Sequence, residues 1–185
     1  MTVAQLIHLN GPPGIGKSTL AALHVDRHAG ALNLDVDVVH RLIGGWQDEQ
    51  NRTWQLVWPL VRVMAESHLR DGHDVVLPQY HAQLDEITAL EDLARANGAS
   101  FREVVLLDDR EAAAERFDDR ARDTDDHWVQ HHHRLVALRG GSVLLGAMYD
   151  NLVEILRLRP EAVVVRSRAG AVQETYELLA TALRC

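Results

Sequence analysis

The segment Gly11-Pro12-Pro13-Gly14-Ile15-Gly16-Lys17-Ser18 sets glycines, one ammonium and one hydroxyl in the spacing G-x-x-x-x-G-K-[S/T]. Glycines let a backbone curl so that successive N–H groups point inward, toward phosphate oxygens. A helix that opens near Lys17 adds the positive end of its dipole. Lys17 then reaches between the β- and γ-phosphates of a nucleoside triphosphate, and the Ser18 hydroxyl completes the shell of a magnesium ion. The expected cofactors are ATP and Mg2+, held by Gly11, Pro12, Pro13, Gly14, Ile15, Gly16, Lys17, Ser18 and Thr19, with Arg116 joining them from further along the chain. Of the nineteen basic residues in the chain, Lys17 is the single lysine and the rest are arginine. Base composition unfavourable to lysine codons explains the scarcity, but not where the exception falls.

Such a loop serves hydrolases and phosphotransferases alike, and other residues must separate them. Hydrolases of this class place a magnesium-binding Asp after a third apolar strand, where this chain reads Val75-Val76-Leu77-Pro78-Gln79. Val104-Val105-Leu106-Leu107-Asp108 does carry that pattern, so an ATPase reading survives. A guanine-reading Asn-Lys-x-Asp element is absent, since no second lysine exists to build it. A phosphotransferase needs a carboxylate beside the γ-phosphate and arginines that close over the transferring group. Asp35 and Asp37 follow a short strand; on extended chain their side chains share a face. One of them reaches magnesium through water while the other meets an acceptor hydroxyl, unless the pair is only a solvated turn. Arg116 and Arg120 lie four apart on a helix and share its face. Their planar forks suit charge spread over three oxygens. Glu115, Asp118, Asp119 and Asp123 offer the plainer alternative of a salt-bridged surface helix.

The elements that must position these groups alternate between strand and helix. Strands are expected at residues 3–9, 31–34, 75–77, 103–107 and 162–165. Helices are expected at 18–28, 53–70 (interrupted or restarted near Pro59), 84–96, 111–122, 143–158 and 172–183. This alternation predicts a parallel sheet covered on both faces. The fold expected is a three-layer α/β/α P-loop NTPase domain with five parallel strands, spanning residues 1–185 as one unit. The 185 residues and 46% apolar content are enough for one substantial core. The lone cysteine, Cys185, rules out an intrachain disulfide. The net charge of −8 is spread along the chain without a basic stripe, which argues against nucleic acid as a partner. No apolar run approaches the ~20 residues of a membrane span, and residues 1–9 read as a strand rather than a leader. A cytoplasmic monomer or homodimer without a membrane partner is expected.

Two further groups of residues draw attention. Trp46, Trp54 and Trp58 crowd the segment after the Asp pair; they read either as core or as the wall of a larger, partly apolar acceptor pocket. His127, His131, His132 and His133 invite a metal reading, but lack a cysteine or carboxylate at fitting distance, and an exposed histidine-rich helix explains them better. His8 reads as a hydrogen-bonded core residue of the first strand.

Taken together, the P-loop, Leu34-Asp35-Val36-Asp37-Val38-Val39-His40 and Arg116-Phe117-Asp118-Asp119-Arg120 resemble the gluconate-kinase and shikimate-kinase group of small P-loop kinases. The Asp37-x-x-His40 spacing and the His127-Trp128 pair are similar to gluconate kinases; Asp35-x-Asp37 is similar to shikimate kinases. Small antibiotic-modifying kinases and tunicamycin-resistance-like proteins share the layout. The resemblance implies that Lys17 and Ser18 hold phosphates and magnesium, Asp35 assists the metal and Asp37 is the acceptor-side base. It implies a helical lid over about residues 115–140 carrying Arg116 and Arg120, an acceptor contacted by Asp37, His40, Arg41 and Gln79, and adenine near Arg166-Ser167. The chain departs from the family at Gln79-Tyr80 and across residues 44–58, where only Arg41 and Arg52 are at hand to clamp an acid. The activity expected is transfer of the γ-phosphate of ATP to a hydroxyl of a small metabolite or antibiotic. The alternatives are an ATP-driven switch protein without an acceptor and a nucleic-acid end kinase.

Overall fold

The computed structural model describes residues 3–122 and 124–184. Asp123 and Cys185, considered above, lie outside the described residues, as do the first two residues of the chain. The elements in chain order are β1 (Gln5–Asn10), α1 (Lys17–Arg27), β2 (Leu32–Asn33), α2 (Val36–Arg41), a 3-10 turn (Glu49–Asn51) and α3 (Trp54–Arg70). They continue with β3 (Val75–Pro78), α4 (Leu84–Ala96), β4 (Ser100–Leu107), α5 (Arg110–Arg122), α6 (His127–Leu138), α7 (Ser142–Leu156), β5 (Val163–Arg166) and α8 (Val172–Ala182).

Period-two burial fixes the sheet. Leu6, Val75 and Leu77 enter one core with Val57, Val61 and Leu69 of α3 and Leu90 and Leu93 of α4. Their strand neighbours Ile7 and Val76 turn the other way, joining Val104, Leu106 and Val165 against Leu20 of α1, Ala113 of α5 and Leu179 of α8. Val105 and Ile87 meet Leu152 and Ile155 of α7 in a third cluster. Strands buried on both faces read as the continuous apolar runs seen in the sequence. All pairings are parallel, in the order β2-β3-β1-β4-β5. The expected α/β/α P-loop fold with five parallel strands is therefore the observed one.

Three elements depart from expectation. Asp35 does not end a strand: it is the N-cap of α2, its Oδ1 accepting the Asp37 N–H at 3.0 Å, so Asp37 lies in the first helical turn rather than on extended chain. α3 runs unbroken through Pro59. The one hydrogen bond that proline removes is outweighed by the continuous stripe Val57, Val61, Ala65 and Leu69, all fully buried. β4 begins three residues earlier than expected, because Ser100 and Phe101 pair with Gln5 and Leu6 of β1.

β1 is central, and the chain leaves it toward β2 and β3 on one side before crossing to β4 on the other. The loops at the carboxyl ends of these strands therefore diverge around β1, and a crevice opens there.

Candidate active site

The loop after β1 takes the shape its motif demands. Gly14 and Gly16 have φ of +80° and +104°, left-handed values that bulky residues avoid. A Cβ on Gly14 would also lie 2.9 Å from the backbone of Phe117, so α5 rests directly on the loop. Lys17 opens α1, and its Nζ donates to the carbonyls of Gly11 at 2.7 Å and Pro12 at 3.0 Å. Burial holds its pKa down to about 8, against the pull of Asp37 and Asp35 and with the help of Arg120.

Beside this loop lies a cleft of about 600 Å3. One half is lined by Pro13, Gly14, Gly16, Lys17, Ser18 and Thr19 and reaches Ser167, Arg168 and Val172 after β5, where the base of a nucleotide is expected. The other half holds Asp35, Asp37, Arg41, Gln79, Arg120 and Asp126 facing Val38, Trp54, Tyr80, Trp128 and Met148. The helical cap on α2 thus still delivers both carboxylates to one cavity. Asp37 is pushed up to about 6 by burial first and Asp35 second; Lys17, the Trp128 N–H and Arg120 pull the other way. Its Oδ2 accepts from Trp128 Nε1 at 3.4 Å.

Arg116 lines the cleft and is tied to its wall in this structure. Its guanidinium donates to Ser167 O at 2.6 Å and Ile15 O at 2.9 Å and pairs with Asp108 at 3.6 Å, anchoring it beside the loop. Arg120, one turn on, lines the cleft. Asp108, the residue with the hydrolase pattern, lies outside the cleft lining, held between Arg116 and Arg166. The stretch expected as a lid contains the second half of α5 and all of α6, the latter capped by Asp126, which accepts the Trp128 N–H at 2.8 Å.

His40 is 2% exposed and shares a 2.7 Å hydrogen bond with Thr53 Oγ1. It underlies Trp54 at 4.1 Å and lies outside the cleft lining, so the structure gives it a packing role. The tryptophans are not core: Trp54 and Trp58 are each 36% exposed. Among the described residues no three His, Cys, Asp or Glu side chains are placed to hold a metal ion together, and His131 instead meets the ring of Trp46 edge-on. His8 is the core residue expected, within 3.0 Å of Gln79 O. No helix among the described residues is long and apolar enough to cross a membrane.

Sequence reading missed two positioning contacts. Trp128 was visible only as half of a dipeptide, while its bond to Asp37 spans 91 residues. Asn10 carried no motif at all. Fully buried, it accepts from Gly11 N at 2.8 Å and His81 N at 3.0 Å and donates to His81 O at 2.8 Å, tying the loop to the end of β3. Asn10→Ala would leave three buried backbone groups unpaired, a loss of about 3 kcal/mol. Urea unfolding should show a lower midpoint at unchanged slope, and an unaltered midpoint would refute the link.

Several solved structures share this fold. A gluconokinase from Sinorhizobium meliloti 1021 is 20% identical with a TM-score of 0.64, over 100% of this chain and 94% of that one. The tunicamycin resistance protein of Deinococcus radiodurans is 17% identical with a TM-score of 0.60, over 97% and 95%. A chain of the Pnkp1/Rnl/Hen1 RNA repair complex is 16% identical with a TM-score of 0.65, over 85% of this chain and 47% of that one. Two of these are of the kinds named by the sequence resemblance. No curated protein matches the chain. A family model described as AAA domain matches residues 6–139, well over half of the length, and the chain belongs to that family.

Proposed function

We propose that this protein transfers the γ-phosphate of ATP to a hydroxyl of a small molecule. The observation that carries the reading is one cleft lined by both the phosphate-type loop with Lys17 and the half-protonatable carboxylate Asp37. A hydrolase would instead use Asp108, which does not line that cleft and is paired with Arg116 and Arg166.

The loop fits a triphosphate: its left-handed glycines leave room for phosphate oxygens, and a partly desolvated ammonium sits at its base. Ser18 and Asp35 offer hydroxyl and carboxylate oxygens in the same cleft, a donor set suited to Mg2+. Magnesium held there would supply charge neutralisation on the phosphates. Lys17 swaps its two carbonyl partners for phosphate oxygens. Asp37 orients the acceptor hydroxyl and takes its proton. Arg116 holds the loop from the cleft wall, while Arg120, on the same face of α5, stabilises the charge on the transferring group. Arg41 and Gln79 border the acceptor, and α5 with α6 excludes water. ATP and a hydroxylated small molecule are thus the partners, and residues 1–185 act as one kinase domain.

The test is ADP release with Mg2+ and ATP across sugar acids, nucleosides, aminoglycosides and aryl alcohols, with a 5′-hydroxyl oligonucleotide included. Strong stimulation by one class of small molecule is expected. ATP bound tightly with no stimulation by any acceptor would instead favour a nucleotide-driven switch.

A further inference from the structure

α3 is apolar on two sides. Its inner stripe, Val57, Val61, Ala65 and Leu69, is buried in the core. Its outer stripe is open to solvent: Leu56 is 56% exposed, Leu60 48% and Val63 63%, with Met64 beside them at 41%. Ser67 continues the row, so exposed positions 56, 60, 63 and 67 follow a 4-3-4 spacing. That is the spacing by which one helix packs along another. A helix that serves one core carries polar residues on its opposite face, whereas α3 keeps Arg62 and Glu66 to one edge. Scattered apolar residues are ordinary on a protein surface, but a row along one helix marks an interaction surface.

Two features point to a second copy of this chain as the occupant. The first is charge. Arg62 and Glu66 pair with each other at 3.1 Å and stand equally far along the helix on either side of Met64. A twofold axis across the helix at Met64 therefore sets Arg62 of each copy opposite Glu66 of the other. The same register lays Leu60 of one copy near Ser67 and His68 of the second. Leu56 then falls over Gly72, which has no side chain and open space around it.

The second is size. The four apolar side chains expose roughly 400 Å2, a large patch for a monomer. With the flanking polar side chains each copy gives up roughly 600 Å2, and the total reaches the ~1,200 Å2 at which stable interfaces begin. Trp54 and Val63 are nine residues apart, on opposite sides of α3, so the pairing leaves open the cleft that Trp54 lines.

We propose that the outer face of α3 is the interface of a symmetric homodimer, in which two copies pair these helices antiparallel about Met64. The pairing braces, in each copy, the helix that carries Trp54 into the cleft.

Sedimentation velocity of the full chain is the test. The mass should rise toward twice the monomer value, with a dissociation constant of about 1–100 µM. Val63→Glu, at an exposed position where circular dichroism should show an intact fold, should weaken association at least about 100-fold. Arg62→Glu should weaken it about tenfold, and combining it with Glu66→Arg should restore it. With Cys185→Ser removing the native thiol, Val63→Cys should be joined to its counterpart by a short bismaleimide. A monomer at every concentration would overturn the proposal. So would a dimer indifferent to Val63→Glu, whose contact lies on another face. A dimer that the double charge reversal fails to restore is not antiparallel about Met64, and it too would overturn the proposal.

Discussion

Lys17→Ala should lower acceptor-stimulated ADP release by about 10²–10³-fold, equivalent to about 3–4 kcal/mol of transition-state stabilisation. The size of the effect follows from where the ammonium sits. Lys17 is half-buried at the foot of the loop, and its charge is held there by two backbone carbonyls and by the fields of Asp37 and Asp35. A cation already partly shielded from water needs little reorganisation when charge moves from the γ-phosphate to the leaving oxygen. The same charge in bulk water would be worth a fraction as much. No other lysine exists in the chain, and the nearest arginines on α5, Arg116 and Arg120, carry bulkier planar heads, so no neighbour substitutes for it. Lys17→Arg should therefore fail nearly as badly, because a planar guanidinium cannot enter a space shaped around Gly11 O and Pro12 O. Steady-state rates over a range of ATP, with circular dichroism confirming the fold, provide the check. A variant that kept more than a tenth of the wild-type rate would remove Lys17 from the chemistry.

How far such a site can be read from sequence depends on the span of its contacts. The phosphate loop was legible in full because all of its parts are consecutive: eight residues contain the turn, the ammonium and the hydroxyl. The sheet was legible because Leu6 and Ile7, or Val75 and Val76, alternate between faces whatever the topology. The local conformation of Asp35 and Asp37 was misread, since an Asp after a two-residue strand serves equally to end the strand or to cap a helix. Only the Asp37 N–H, 3.0 Å from Asp35 Oδ1, decides it. Pro59 looked like a break because its local cost is visible in the sequence, whereas the stripe that overrides it belongs to the tertiary core. Asn10 and Trp128 were out of reach altogether. Their partners lie 71 and 91 residues away, and nothing in either residue type announces a partner. The tryptophans were ambiguous between core and pocket; Trp54 and Trp58 are too open for core, and of these two Trp54 lines the cleft.

Asp37→Asn should reduce phosphotransfer by about 10²–10⁴-fold, the usual contribution of a positioned base, while making the protein more stable. The two effects have one cause. Burial and the neighbouring Asp35 raise the Asp37 carboxyl from 3.8 to about 6, so the fold favours its protonated form. Between those two values the native state holds a proton that the unfolded chain has released. Stability from this group is therefore present below about pH 4 and is lost as pH rises through about 6. At neutral pH the ionised carboxylate is a burden of at most about 3 kcal/mol. Asparagine keeps the shape and the acceptor oxygen for Trp128 Nε1 but cannot ionise. Thermal melts of the metal-free protein in EDTA should thus place Asp37→Asn above wild type at neutral pH, with the gap closing toward pH 4. A site that sacrifices stability for a desolvated base behaves in this way, and a solvated turn does not. Should the variant keep near-normal transfer, Asp37 is not the base and Asp35 becomes the candidate. Should it lose activity without gaining stability, the carboxylate is better solvated than its surroundings imply, and its role is to position the acceptor rather than to take its proton.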